Sequence, residues 1–370
     1  MVSVNARSGD HSTLTRTQGP IVRLAPNRYS ISDPKAIRTI YGPGSKFSKS
    51  DYYRPFGHPD DANKDIFSER SNAKHAQEKR RSANLYSMSS LVMYEPFVDK
   101  VNAEFMAAIS EHARTDRAFD LFTWMQFYAF DVIGEITIGS SFGLIDAGHD
   151  KDGLLHAIHL TGITYSSHAG LIPELHPLCI WLQDILPFSS PWKVVLGCIG
   201  GEIGKRTQGE SFSDRQDFLE KCTELKKAGK MDQPTMFNVI GANIGAGSDT
   251  TGITLTAVIY YLMRNPQCLQ KLRQEIDTAD EEGRLSTPLT FQEGQKLPYL
   301  QATIKEALRL HPAVGQILSR VVPEGGAELA GRFFPPGVSH AITIRGCNES
   351  LVLTFSADRR RRQRLGDPQR

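Results

Sequence analysis

Between Phe237 and Met263 the chain runs for 27 residues with no lysine, no arginine and a single acid, Asp249. A stretch of that length and character suits few environments: the span of a bilayer, the middle of a large core, or the wall of an internal site. Its polar residues discriminate between them. Gly241 and Gly245 have the spacing of close-packed membrane helices, but Asn243, Ser248, Asp249 and three threonines lie in its middle, each costly in lipid. No second span and no positive flank support insertion. A buried core helix explains the small residues, and threonine hydroxyls there can bond to a carbonyl four residues back. It leaves Asp249 unexplained, because a buried carboxylate without a partner is expensive. An adjacent carboxylate and hydroxyl facing a cavity, Asp249 and Thr250, is what proton delivery to a bound ligand requires. On that reading Thr250 draws on the Ala246 carbonyl, bulges the helix and opens a groove.

The surrounding chain is that of a core-forming protein. With 370 residues, 40% of them hydrophobic and 23% charged, it can build one large core or two average ones. The net charge of +2 conceals a basic end: residues 339–370 hold seven arginines against three acids, a local +4, which leaves the remainder at −2. No nucleic-acid surface is implied outside that tail. The five cysteines, Cys179, Cys198, Cys222, Cys268 and Cys347, are widely spaced with no CxxC, which reads as reduced thiols, mostly in the core, and not as a metal cluster. The opening MVSVNARSGDHSTLTRTQ is polar, with neither the apolar region of a signal peptide nor an anchor helix.

The periodicities predict a mainly helical fold with a small β-sheet. GPIVRLAPNRYSISDP (19–34) alternates about a Pro-Asn turn, as a half-exposed hairpin does. Asp33-Pro34 then caps a helix that ends at Gly42. Apolar residues at three-and-four spacing predict helices over 73–91, 93–113, 121–138, 213–228, 235–264, 266–279 and 300–311. Short strands are expected at ILSRVV (317–322) and RFFPPG (332–337) around a Gly-Gly turn.

A second motif lies in KEALRLHP, where Glu306 and Arg309 stand one turn apart on a helix. The same spacing in Glu78/Arg81, Glu111/Arg114 and Glu281/Arg284 is that of ordinary solvated pairs. The apolar stripe Leu300, Ile304, Leu308 makes 306–309 the candidate for a buried structural pair.

Taken together and in this order, AGSDTT (246–251), KEALRLHP (305–312) and FFPPG (333–337) resemble the oxygen-activating helix, ExxR helix and PPG turn of cytochrome P450 monooxygenases. YGPGSKFSKSDYY (41–53) and HAQEKRRSANLYS (75–87) are similar to fungal microsomal members near the pisatin-demethylase-like group. The resemblance covers about residues 18 to 338 and implies a partial cytochrome P450 fold over 19–338. It implies a haem b cofactor, electrons from NADPH through a cytochrome P450 reductase, and insertion of one oxygen atom into an apolar small molecule in secondary metabolism. Asp249 and Thr250 become the proton-relay pair. Ala246 and Gly247 are expected against the haem face, and His75, Lys79, Arg80 and Arg320 at its propionates. Glu306 and Arg309 are the structural pair, and Tyr52, Tyr53, Phe56, Ile244, Val314 and Ile317 the substrate-facing positions.

The sequence departs from the family at its ends. The family's haem cysteine sits in an F-x-x-G-x-R-x-C-x-G loop after the PPG turn, and its thiolate favours O–O cleavage. That loop does not occur here. Aligned on Cys347, Arg345 fits, whereas His340 holds the aromatic position and Thr343 and Glu349 the two glycines. No metal ligand is therefore assigned. Residues 1–18 and the basic 339–370 are expected to be disordered, and the fold to be truncated at both ends. Arg359 to Arg362 suit an anionic-lipid or nucleic-acid patch, and an out-of-frame or intron-read terminus accounts more simply for the abrupt change. By family the enzyme belongs to the endoplasmic reticulum membrane, while a chain without an anchor would be cytoplasmic. Two other readings stay open: a non-catalytic remnant without haem, and a small helical membrane protein using 237–263.

Overall fold

The computed structural model describes residues 19–57, 65–115, 118–151, 153–159, 216–315 and 318–342, with short pieces at 169–170, 172–178, 181, 197, 199–201 and 204–205. Along them run β1 (Ile21–Ala25), β2 (Arg28–Ile31), α1 (Pro34–Tyr41), β3 (Ser48–Lys49), α2 (Asn72–Ser82), α3 (Met88–Val92), α4 (Glu95–Arg114), α5 (Leu121–Thr137), α6 (Leu144–Ala147) and α7 (Leu154–Ala157). There follow α8 (Phe218–Lys227), α9 (Gln233–Arg264), α10 (Pro266–Glu281), α11 (Phe291–Gln295), α12 (Pro298–Leu310), β4 (Arg320–Val321), β5 (Ala327–Leu329), β6 (Arg332–Phe334) and β7 (Ser339–Ile342).

The chain divides into two compact units. The first comprises Met1–Ser50, Arg70–Asn72 and Arg309–Arg370 and carries the sheets. The hairpin β1–β2 turns at Pro26-Asn27 as the alternation predicts, and the strand order is β1-β2-β7-β4-β3. β7 is the keystone: it pairs parallel with β2, Arg28 opposite Ser339, and antiparallel with β4, Arg320 opposite His340. Structure thus continues past the boundary at 338 that composition suggests, in a strand whose one β-branched residue is Ile342. β4 keeps only two residues of the expected 317–322 strand and pairs with β3 and β7, not with β6. β5 and β6 form a separate hairpin through Ala330 and Gly331, both at positive φ, the backbone of a two-residue turn. Ile31, Ile40, Phe47, Val322, Leu329 and Phe334 form the apolar core of this unit.

The second unit, Asp51–Glu69 with Ala73–Leu308, is helical. Its core is centred on α5 and α9, where Met125, Phe127 and Phe130 are buried with Met236, Val239, Ile240 and Ile244. Burying each such side chain is worth about 1.5–3 kcal/mol before ordering costs. The expected helix over 73–91 is broken: α2 stops at Ser82, a 3₁₀ turn spans Ala83–Tyr86, and Ser87 starts α3 by accepting the Ser90 N–H. Ser87 and Ser90 mark the break, Ser87 by capping α3 and Ser90 by donating to the Asn84 carbonyl. The helix expected from 213 is described from Phe218, where Asp217 caps it by accepting the Glu220 N–H at 2.9 Å.

Candidate functional site

The apolar stretch 237–263 lies within a single helix, α9. Asp232 caps its start by accepting the Thr235 N–H at 2.8 Å, Pro234 occupies its first turn, and Asn265-Pro266 ends it. No helix among the described residues, α9 included, is long and apolar enough to cross a membrane. The polar residues are absorbed inside the fold. Ser248 donates to the Ile244 carbonyl at 2.6 Å, Thr250 to Ala246 at 2.9 Å, Thr254 to Thr250 at 2.7 Å and Thr256 to Gly252 at 2.8 Å. The Thr250 bond is the one expected, but the expected bulge is absent: α9 remains α-helical from Gln233 to Arg264. A hydroxyl bond to the fourth preceding carbonyl shares an acceptor already used by the helix and does not displace it.

Small residues let α5 lie close to α9. A Cβ on Gly247 would come within 3.0 Å of Ile133 Cδ1, and one on Gly252 within 2.8 Å of the Gln126 amide. Gln126, fully buried, donates through Nε2 to the Asp249 carbonyl at 3.4 Å. The Asp249 carboxylate has its own partner: Oδ1 lies 2.6 Å from His159 Nε2, with the Asp249 side chain 8% exposed and the His159 side chain 31%. An ionised carboxylate only accepts, so Nε2 carries the hydrogen and donates it. That hydrogen bond raises the His159 pKa above its ordinary value; desolvation opposes the rise, and the charges of Asp249 and Asp150 add to it.

Successive helix residues are turned about 100° from each other. Asp249 therefore points into the packed side, whereas Ala246 and Thr250 share another face on which Ala246 is exposed. The two side chains of the expected relay pair are engaged separately, Asp249 with His159 and Thr250 with the Ala246 carbonyl. Ile244 is fully buried in the helical core.

The other expected site residues are more dispersed. His75 is half-buried on α2, with Lys79 and Arg80 exposed on the same helix. Tyr52 and Tyr53 are buried in an aromatic cluster: Tyr53 meets Phe67 at a ring separation of 5.2 Å, Phe56 meets Phe67 at 5.3 Å, and Tyr52 meets Phe56 at 5.6 Å. Arg309, Val314 and Arg320 belong to the sheet-bearing unit. Val314 is exposed, and the Arg320 guanidinium lies 5.0 Å from the Tyr41 ring centroid while donating to the Leu318 and Ser319 carbonyls. Ile317 and Cys347 lie outside the described residues. Glu306 corrects the expectation of a buried pair. It is exposed, because α12 buries only Ala307 and the neighbouring position is turned about 100° from it.

Two participants escaped the sequence reading. His159 had no signal, being joined to Asp249 across 90 residues. Gln126 had one: it is the lone amide in the otherwise apolar WMQFYAF.

The chain matches the family model described as Cytochrome P450 over residues 5–350. It belongs to the cytochrome P450 family. It is 39% identical over 331 residues to a pisatin demethylase of Fusarium vanettenii, covering 88% of this chain and 64% of that protein. A cytochrome P450 monooxygenase of Penicillium aethiopicum is 34% identical over 342 residues, covering 88% of this chain and 67% of the relative. One from Emericella nidulans is 34% identical over 342 residues, covering 90% and 68%. The chain therefore spans about two thirds of the length of these relatives, 64% in the first. The mainly helical architecture with its small sheets is that of a cytochrome P450.

Family membership implies haem, and the described residues fit one side of it. The Ala246–Thr250 face of α9 is small and open, with a hydroxyl one turn beyond an exposed methyl group. Cys222 is buried in the helical core with its thiol pushed up to about 12 by burial and by the nearby Asp217 charge, so it remains protonated. Cys268 is exposed on α10.

Proposed function

We propose that this protein descends from, and where haem is held acts as, a monooxygenase of fungal secondary metabolism that inserts one oxygen atom from dioxygen into an apolar small molecule. The observation that carries the reading is the setting of Asp249: a buried carboxylate on a small-residue helix, one residue before a hydroxyl on an open face. Family membership supports the chemistry, and the names of its relatives support the metabolic class. When bound, haem supplies the oxygen chemistry. His75, Lys79, Arg80 and Arg320 are the residues assigned to its propionates, and Ala246 and Gly247 those assigned to its face. Asp249 holds a proton at its carboxylate, and Thr250 Oγ1 carries it into the site by releasing the Ala246 carbonyl. Tyr52, Tyr53, Phe56, Ile244, Val314 and Ile317 are the assigned substrate-facing residues, and Glu306 with Arg309 the structural pair. Electrons come from NADPH through the reductase at the endoplasmic reticulum.

A second reading, a family member that does not hold haem, is favoured by one observation: Cys222, buried in the helical core, has its thiol pushed up to about 12 and stays protonated. One experiment separates the two. The full chain is expressed with haem supplied, reduced, and exposed to carbon monoxide. A thiolate-type Soret band supports the monooxygenase reading, and a chain that emerges without haem overturns it.

A further inference from the structure

Asp249 is enclosed, yet a relay residue must regain a proton after each turnover. Among the described groups its carboxylate meets one that also reaches solvent, the His159 imidazole, 2.6 Å away and 31% exposed. We propose that His159 is a positioning residue of the proton path: it fixes the Asp249 carboxylate and recharges it with protons from bulk water. This rests on the proton-relay role proposed for Asp249.

The step balances. The Nε2–H bond breaks as an O–H bond forms at Asp249 Oδ1, converting imidazolium and carboxylate to neutral imidazole and neutral acid. The imidazole then takes a proton from water or a buffer acid, and Asp249 passes its own toward Thr250. Asp249 on α9 and Asp150, just before α7, both stabilise the imidazolium, which favours reloading of the ring from solvent and makes the transfer to Asp249 the uphill step. From α5 the neighbouring group is the neutral Gln126 amide, which ties down the Asp249 backbone without competing for the proton. Asp150 is itself anchored, its Oδ2 accepting the His156 N–H at 2.9 Å.

The test begins on the chain without haem, so that it does not depend on catalysis. Nitrogen and carbon NMR follow the His159 ring and the Asp249 carboxyl carbon across pH. His159 is expected to titrate above its ordinary value, to fall toward that value in Asp249→Asn, and to impose a step on the Asp249 carboxyl shift that vanishes in His159→Gln. Its Nε2–H is expected to exchange with water under saturation transfer. Titration at the ordinary value, unmoved by Asp249→Asn, overturns the proposal, as does an Nε2–H that does not exchange. In a haem-loaded chain, His159→Gln is expected to lower kcat by about a hundredfold with KM unchanged, and an unchanged kcat overturns recharging. A chain that takes up no haem fails the proposed function instead, and the NMR result alone then decides the role of His159.

Discussion

The two central helices of the helical unit each bury an aspartate, and the two are held in opposite ways. Asp131 on α5 accepts the backbone N–H of Leu144 at 3.2 Å and of Ile145 at 2.9 Å, tying down the start of α6. Burial pushes its pKa up while the backbone donors around it hold it back. None of those donors can gain or lose a proton. Asp249 on α9 is held instead by an imidazole that can. A buried acid fastened by peptide groups serves the fold; one fastened by a titratable, half-exposed side chain is free to exchange its proton.

The largest effect that would sharpen this contrast is expected from Asp131→Ala. It strands two buried N–H groups, and urea unfolding should show a loss of about 3 kcal/mol or more, with the His159 titration unchanged. Gly252→Ala tests the close approach that brings Gln126 to Asp249. The new methyl would lie 2.8 Å from the Gln126 amide and 3.1 Å from its Cα. Overpacking should cost about 1–3 kcal/mol, visible as a lowered melting temperature although alanine is the better helix former.

Asp249→Asn keeps the volume and removes the charge, and is expected to cost about 1 kcal/mol at mildly acidic pH. That cost should depend on pH. His159 gains its partner on folding and its pKa is raised above 6.5, so the pair stabilises fully below that value. The increment fades as pH rises through the elevated folded value. Wild-type and Asp249→Asn unfolding curves measured across that window should converge at its alkaline end, and a constant gap would break the comparison. The smallest effect belongs to Thr250→Val, which removes a hydroxyl bonded to its own helix and should alter stability by less than about 0.5 kcal/mol.

Much of the helical frame is legible because its boundaries are written locally. Asp232 with Pro234, and Asn265-Pro266, bound α9 through caps and missing donors that need no tertiary information. Asp33 and Gly42 do the same for α1. The failures are of another kind. At Ser87 and Ser90 side-chain hydroxyls compete with a helical periodicity that looks continuous. β7 is hidden by the basic composition downstream of it and by its own Ser-His-Ala-Ile, of which only Ile342 favours a strand. Within the site, Asp249 and Thr250 are visible as anomalies in an apolar run, whereas their partition onto two faces requires the helix to be built. His159 is illegible, because pairing across a sequence gap leaves no trace in either segment.

The parallel pairing of β2 with β7 has a consequence for the order of events during synthesis. Arg28 must wait for Ser339 before the five-stranded sheet can close, while the contacts of α5 with α9 are available once the ribosome has passed Arg264. The helical unit can therefore consolidate on the nascent chain, and the first strands remain an open edge until the loop from Ile31 to Ser339 is spanned. That waiting interval is when this chain is most exposed to misassembly, and when a chaperone would find its β1–β2 hairpin unpaired.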